Sequence, residues 1–185
     1  MAIRSTPQLI LMGAGSGPFE SGFFSFRQQR RPRWCWAACT SMLLDILSKQ
    51  PKDQCEIAGE RLGLACCGLA PTTGCVSSAS VPEFDCDQTQ FPAGIDLVLG
   101  DQDIDFTPRP SLLSQLELDD QVVTQGRPVQ LYYENNGIAH VVLVLSKEGS
   151  VYVVADPCET GIQKADYSEL LNYRGPWTRT WVDLR

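Results

Sequence analysis

Among the side chains able to do covalent chemistry, Cys35 has the most telling neighbours. It lies in Trp34-Cys35-Trp36-Ala37-Ala38-Cys39, at the head of a stretch with helical spacing. A helix N-terminus carries about half a positive charge and favours an anion, so a nucleophilic thiolate belongs there. Taken alone, the segment equally suits a buried cysteine in an aromatic core. His140 shifts that balance. It is the only histidine in the chain, and a cysteine nucleophile needs a base. A single histidine also excludes chemistry that needs two, including the H-E-x-x-H zinc hydrolases. Gln29 stands six residues before Cys35 and offers a neutral amide donor for an oxyanion, although Gln28 beside it weakens that signal.

A third polar group comes from hairpin counting. His140 heads an apolar strand, and downstream lies Lys147-Glu148-Gly149. A three-residue hairpin loop with a left-handed glycine at its end is a known turn type. With Ser146 and Ser150 as the flanking pair, His140 falls opposite Asp156, on one face of the sheet. A four-residue loop would put Pro157 there instead. An aspartate so placed can hold the imidazole tautomer and stabilise its charged form. Asp156-Pro157 alone reads more simply as the end of a strand.

These groups need elements to hold them. Trp36, Cys39, Leu43, Ile46 and Leu47 recur at helical intervals, predicting a helix over residues 35–48. Pro32 suits its entry and Pro51 bars its continuation. Asp53 and Glu56 have capping-box spacing and Gly63 is a stop, predicting a second helix from 53 to 62. Residues 63–92 read as a long cysteine-rich loop. Short helices follow at 94–99 and 111–118. Val, Tyr, Leu and Trp then dominate four strands, at 128–133, 138–145, 151–155 and 177–184, with Asn136-Gly137 as a hairpin turn. A short strand is expected at 23–26. Arg27, Arg30, Arg31 and Arg33 form a basic patch, read as a solvated turn. Helices first and antiparallel strands after make an α+β protein with two segregated halves. Residues 1–22, rich in Gly, Ser and Pro, read as a removable tail or leader, leaving a domain at 23–185.

Composition limits the function classes. With 185 residues and 43% hydrophobic side chains, the chain can bury one ordinary core. No apolar run reaches the roughly 18–20 residues of a membrane span. A net charge of -7 argues against nucleic-acid binding, which needs a basic face. Eight cysteines, five of them from Cys55 to Cys86, imply disulfides or a metal. No C-x-x-C pair is present, so disulfides rank ahead of zinc. If Cys35 is free, one more cysteine is left over, and Cys39 is the candidate for a small buried thiol. Leu9 to Met12 is too short for the apolar region of a secretory signal. The cysteine content nevertheless favours a secreted or delivered effector over a housekeeping cytoplasmic protein.

Together these residues resemble the papain-like cysteine peptidases. The match runs from Gln29 through Cys35-Trp36-Ala37 to Gly137-Ile138-Ala139-His140-Val141-Val142 and Asp156-Pro157. The Cys-Trp-Ala-Ala form, and an aspartate followed by proline, look most like the bacterial branches. Those include plant-pathogen effector peptidases and bacteriocin-leader-type peptidases. The resemblance implies a helical half carrying the nucleophile, packed on an antiparallel sheet half. It also implies a Cys35-His140-Asp156 triad with Gln29 in the oxyanion hole, no cofactor, no metal, and a protein or peptide substrate. The chain's own N-terminal segment is one candidate substrate. Asp156 departs from the Asn that papain itself uses, and the 55–86 cysteines follow no papain disulfide pattern. The expected activity is thiol endopeptidase. A transglutaminase, deamidase or ligase on the same triad, or a non-enzymatic cysteine-rich binding module, are the alternatives.

Overall fold

The computed structural model of the protein describes residues 9–11, 23–68, 75 and 85–185. Strand β1 (Leu9–Leu11) pairs antiparallel with β2 (Phe23–Ser25). The rest of the stretch read as a tail lies outside the described residues.

Helix α1 (Cys35–Ile46) starts at the predicted residue and ends two residues early, at a Leu47 C-cap. Its residues 35 to 44 are all buried, so it is a central helix and not a one-faced surface helix. Helix α2 (Gln54–Leu62) has the expected capping box of Asp53 and Glu56, and Gly63 ends it at φ 67°. Helix α3 (Pro92–Asp101) is longer than expected, because Pro92 occupies its first turn, where the missing N–H costs nothing.

The remaining elements build the sheet half. They are β3 (Thr107–Arg109), α4 (Gln115–Asp119) with a π-helical turn (Asp120–Thr124), β4 (Val129–Asn135), β5 (Ile138–Glu148), β6 (Val151–Ala155), β7 (Gln163–Ala165), α5 (Tyr167–Leu170) and β8 (Trp177–Val182). Helix α4 begins after a Ser114–Glu117 capping box, four residues later than the sequence predicts. The strands form one antiparallel six-stranded sheet in the order β3-β8-β4-β5-β6-β7. Asn136 and Gly137, at φ 50° and 77°, make the two-residue turn between β4 and β5. One core lies between the sheet and α1, α2 and α3, and includes Trp36, Leu43, Val141 and Leu143. A second core, with Leu118, Val142, Val144 and Trp177, packs on α4 and α5. The long apolar run in β5 is thus buried on both faces.

The expected disulfides are present: Cys55–Cys67 and Cys66–Cys86, with a third, Cys75–Cys158, reaching across to the sheet half. Their sequence separations are 12, 20 and 83 residues, and lost chain entropy makes each alone worth about 3, 3 and 4.5 kcal/mol. Cys35 and Cys39 are free and buried. The arginines before α1 are only in part a solvated turn: Arg30 is exposed, whereas Arg27 is half-buried and Arg33 is buried. Arg27 pairs with Asp45 at 2.8 Å, Arg30 with Asp53 at 2.9 Å, and Arg33 with Asp87 at 3.5 Å, the last pair being buried. Their carboxylate partners lie distant in sequence, which a local reading could not supply.

Candidate active site

Cys35 is the first residue of α1, after a Trp34 N-cap whose side chain does not cap the helix's own N–H groups. The first N–H groups of a helix have no intrahelical partner, so those at Cys35 and the next two residues remain available at this end. The entry to the helix is anchored from outside. Trp34 Nε1 donates to the Cys86 carbonyl, Trp36 Nε1 to Gln88 O at 3.0 Å, and Arg33 N to Asp87 Oδ1 at 2.9 Å. The Cys66–Cys86 bridge ties that anchor to the segment after α2.

His140 is the third residue of β5, just past the Asn136-Gly137 turn. Its Nε2 lies 2.8 Å from Asp156 Oδ1, and the carboxylate is wholly buried. Asp156 follows the last residue of β6. The predicted pairing of these two residues occurs, but not through the predicted register. The β5–β6 turn is only two residues, Gly149 and Ser150, with Glu148 facing Val151. Leu145 forms a bulge, so that Leu143 faces Ala155. Continued outward, this ladder sets His140 opposite Cys158 and leaves Asp156 two residues to one side. A displacement of two residues keeps both on the same face. The short turn and the bulge together preserved what the wrong loop length predicted.

The imidazole is poised to carry charge. Burial works against its protonated form, but hydrogen bonds to Asp156 and Cys35, and the negative charge of both partners, outweigh it and push the His140 pKa up to about 9. Burial likewise works against the Asp156 carboxylate. The His140 hydrogen bond and charge, the Cys158 N–H and the Arg174 charge prevail, and its pKa falls below the ordinary value. Cys39 differs. Burial, helped by the charges of Cys35 and Asp156, raises its thiol well above the ordinary value, and its sulfur donates to Val141 O at 3.5 Å. It is a protonated core thiol.

Gln29 is buried beside this group. Its amide nitrogen donates to Arg31 O at 2.9 Å and Pro32 O at 2.7 Å. Its backbone N–H donates to Pro157 O at 2.9 Å, which fastens the segment before α1 to the loop after β6. The structure therefore gathers all four sequence-predicted residues, with the Gln29 amide engaged on backbone carbonyls. The Cys158 sulfur stands among them, 3.6 Å from His140 Nδ1 and 3.5 Å from Gln29 Oε1. Cys75, His140 and Cys158 have ligand atoms within 4.8 Å of one another. The two sulfurs are bonded to each other and offer no thiolate to a metal.

Arg174 escaped the sequence reading. Its Nε donates to Asp156 Oδ2 at 2.7 Å, and its guanidinium also pairs with Glu159. No motif surrounds it in Tyr173-Arg174-Gly175. It reaches the site from the connection between α5 and β8. Arg174→Ala leaves one oxygen of a buried carboxylate without its donor. Because the guanidinium is one-third exposed (33%), we expect a loss of only about 1–2 kcal/mol on thermal unfolding. Arg174→Lys should recover part of it, since a lysine supplies the charge without the planar donor.

No family model matches this chain, and no curated protein matches it. Among solved structures, it is similar to the peptidase domain of ComA from Streptococcus, a bifunctional ABC transporter involved in a quorum-sensing pathway. The identity is 11% and the TM-score 0.56, over 85% of this chain and 95% of that one. The α+β arrangement is that of a papain-like peptidase domain.

Proposed function

We propose that the protein is a thiol endopeptidase of the papain-like kind, with Cys35 as nucleophile, His140 as acid and base, and Asp156 as the residue that holds the imidazole. The observation that carries this reading is one buried imidazole. It accepts the full support of Asp156 on Nε2 and interacts through its hydrogen bonding with Cys35 at a helix start. The peptidase fold of the structural neighbour supports it.

In this reading the Cys35 thiolate adds to the scissile carbonyl. The oxyanion is met by the Cys35 N–H and by Gln29, whose amide exchanges one carbonyl partner for it. His140 then protonates the departing amine, leaving a thioester on Cys35. Water attacks this acyl-enzyme as His140 takes its proton, and the carboxylic acid leaves. Asp156 keeps the imidazolium in place throughout. Incubation of the full chain with an unfolded protein, with and without a dithiol, followed by product masses, tests the reading. Hydrolysed peptide bonds support it; in their place, a one-dalton deamidation would reassign the acyl donor to a side-chain amide, and a cross-link would reassign the acceptor to an amine.

The raised histidine gives a pH signature. An unfolded imidazole titrates near 6.5, whereas His140 holds its proton to about 9. Its contribution to stability is therefore fully present below about pH 6.5 and is lost as pH rises through about 9. The proton needed by the leaving amine is lost over the same upper range. We expect kcat/KM to fall on an alkaline limb centred near pH 9, read from a pH profile on a peptide substrate.

A further inference from the structure

We propose that the Cys75–Cys158 bridge is a reductant-addressed modification site that holds the proposed peptidase inactive while closed and releases Cys35 when a dithiol opens it. The proposal rests on the reading of Cys35 and His140 given above.

The bridge occupies working space. The Cys158 sulfur lies between two groups that the reaction uses, 3.6 Å from His140 Nδ1 and 3.5 Å from Gln29 Oε1. Asp156 takes Nε2, so Nδ1 is the nitrogen left to exchange a proton with Cys35 and with the leaving amine. A proton transfer needs its partner within about 3 Å. A disulfide sulfur carries no proton and no charge, so beside the Cys35–His140 contact it takes up space that a scissile carbonyl, its leaving amine or an alkylating reagent must enter, and contributes nothing to the chemistry there.

The bridge is also reachable, and the loop that carries Cys158 does not depend on it alone. Cys75 and Cys158 are each half-buried, more open than the buried Cys66–Cys86 bridge and less open than Cys55–Cys67, whose Cys67 is exposed. The loop carrying Cys158 has its own supports. Cys158 N donates to Asp156 Oδ1 at 2.9 Å, Glu159 N donates to Asp156 O at 3.0 Å, Gln29 N donates to Pro157 O at 2.9 Å, and Arg174 holds the other carboxylate oxygen. Opening the bridge leaves all of these contacts in place and frees the Cys158 side chain to turn away from Nδ1.

The exchange balances with an external dithiol. Its thiolate attacks one sulfur of the bridge, forming a mixed disulfide and releasing the other cysteine as a thiolate. The second thiol of the reagent then closes on the first and releases the remaining cysteine. Two electrons pass to the bridge, the reagent becomes a cyclic disulfide, and both cysteines end as thiols after taking up its two protons.

The test is the rate at which iodoacetamide alkylates Cys35 in the full chain at neutral pH, with a chelator present, followed by peptide mass mapping. Three samples are compared: the oxidised protein, the same protein with graded dithiol, and oxidised Cys75→Ala/Cys158→Ala with the other two bridges intact. Cys35 should react about tenfold faster or more in the double variant than in the oxidised wild type. In the wild type its rate should rise in step with opening of the Cys75–Cys158 peptide. The titration stands even if the variant folds poorly. Equal rates in the oxidised wild type and the double variant, or a wild-type rate that falls as the bridge opens, would overturn the proposal and leave the peptidase reading intact. A Cys35 inert in every sample would overturn both.

Discussion

Cys35→Ala should leave a folded protein without turnover. The substitution removes one buried sulfur from a side chain that is already small, at a cost in stability of about 1 kcal/mol. The rest of the helix start is held independently, by Trp34 on Cys86, Trp36 on Gln88 and Arg33 on Asp87. With the nucleophile gone no acyl-enzyme forms, and kcat should fall by about 10³-fold or more, to what the oxyanion donors alone sustain. Cys39→Ala is the control. Its thiol is buried, kept protonated, and occupied with Val141 O. That variant should lose some stability while keeping most of its turnover. Measured on one peptide substrate after thermal melts confirm folding, a dead Cys39→Ala beside an active Cys35→Ala would exchange the two assignments.

The legible parts of the fold are those set by neighbouring residues. The Asp53–Glu56 capping box, the Asn136-Gly137 turn and the start of α1 each depend on side chains within a few positions of one another. The β5–β6 register does not. It depends on a bulge at Leu145, in a strand apolar on both faces, where alternation gives no phase from which to read an inserted residue. Face, unlike register, survived because the error was even. The short elements β3, β7 and α5 have three or four residues each, too few for any period to declare itself. That Cys35, His140 and Asp156 would come together was legible because residue type and order restrict them. Arg174 was not, since an arginine that supports a carboxylate leaves no trace until the chain has folded back across 18 residues to Asp156. The same holds for Cys158. Its placement beside the imidazole follows from the two-residue turn that the sequence reading missed.

Asp156→Ala is expected to cost both stability and rate, and comparison with Asp156→Asn separates them. The carboxylate is fully buried and receives three donors: His140 Nε2, the Cys158 N–H and Arg174 Nε. Alanine leaves all three facing a cavity. Removing one partner from a buried charge network typically costs about 3–5 kcal/mol, reduced here because Arg174 can turn to solvent and to Glu159. Asparagine keeps one acceptor oxygen for the imidazole and fills the space, so its melting temperature should lie between alanine and wild type. The catalytic effect has another cause. Without the negative charge, Cys35 is left to oppose burial, joined in asparagine only by a neutral acceptor, and the imidazolium loses the support that raises it to about 9. The alkaline limb of kcat/KM should therefore move to lower pH in both variants, which a purely structural role would not produce. The ion pair with a thiolate can persist without its third member, so kcat should fall less than in Cys35→Ala, by about 10–10²-fold for alanine and less for asparagine. If both variants, compared at matched folding, keep the wild-type turnover and the wild-type limb, Asp156 merely ends β6. In that case the bond to His140 holds the loop and contributes nothing to the chemistry.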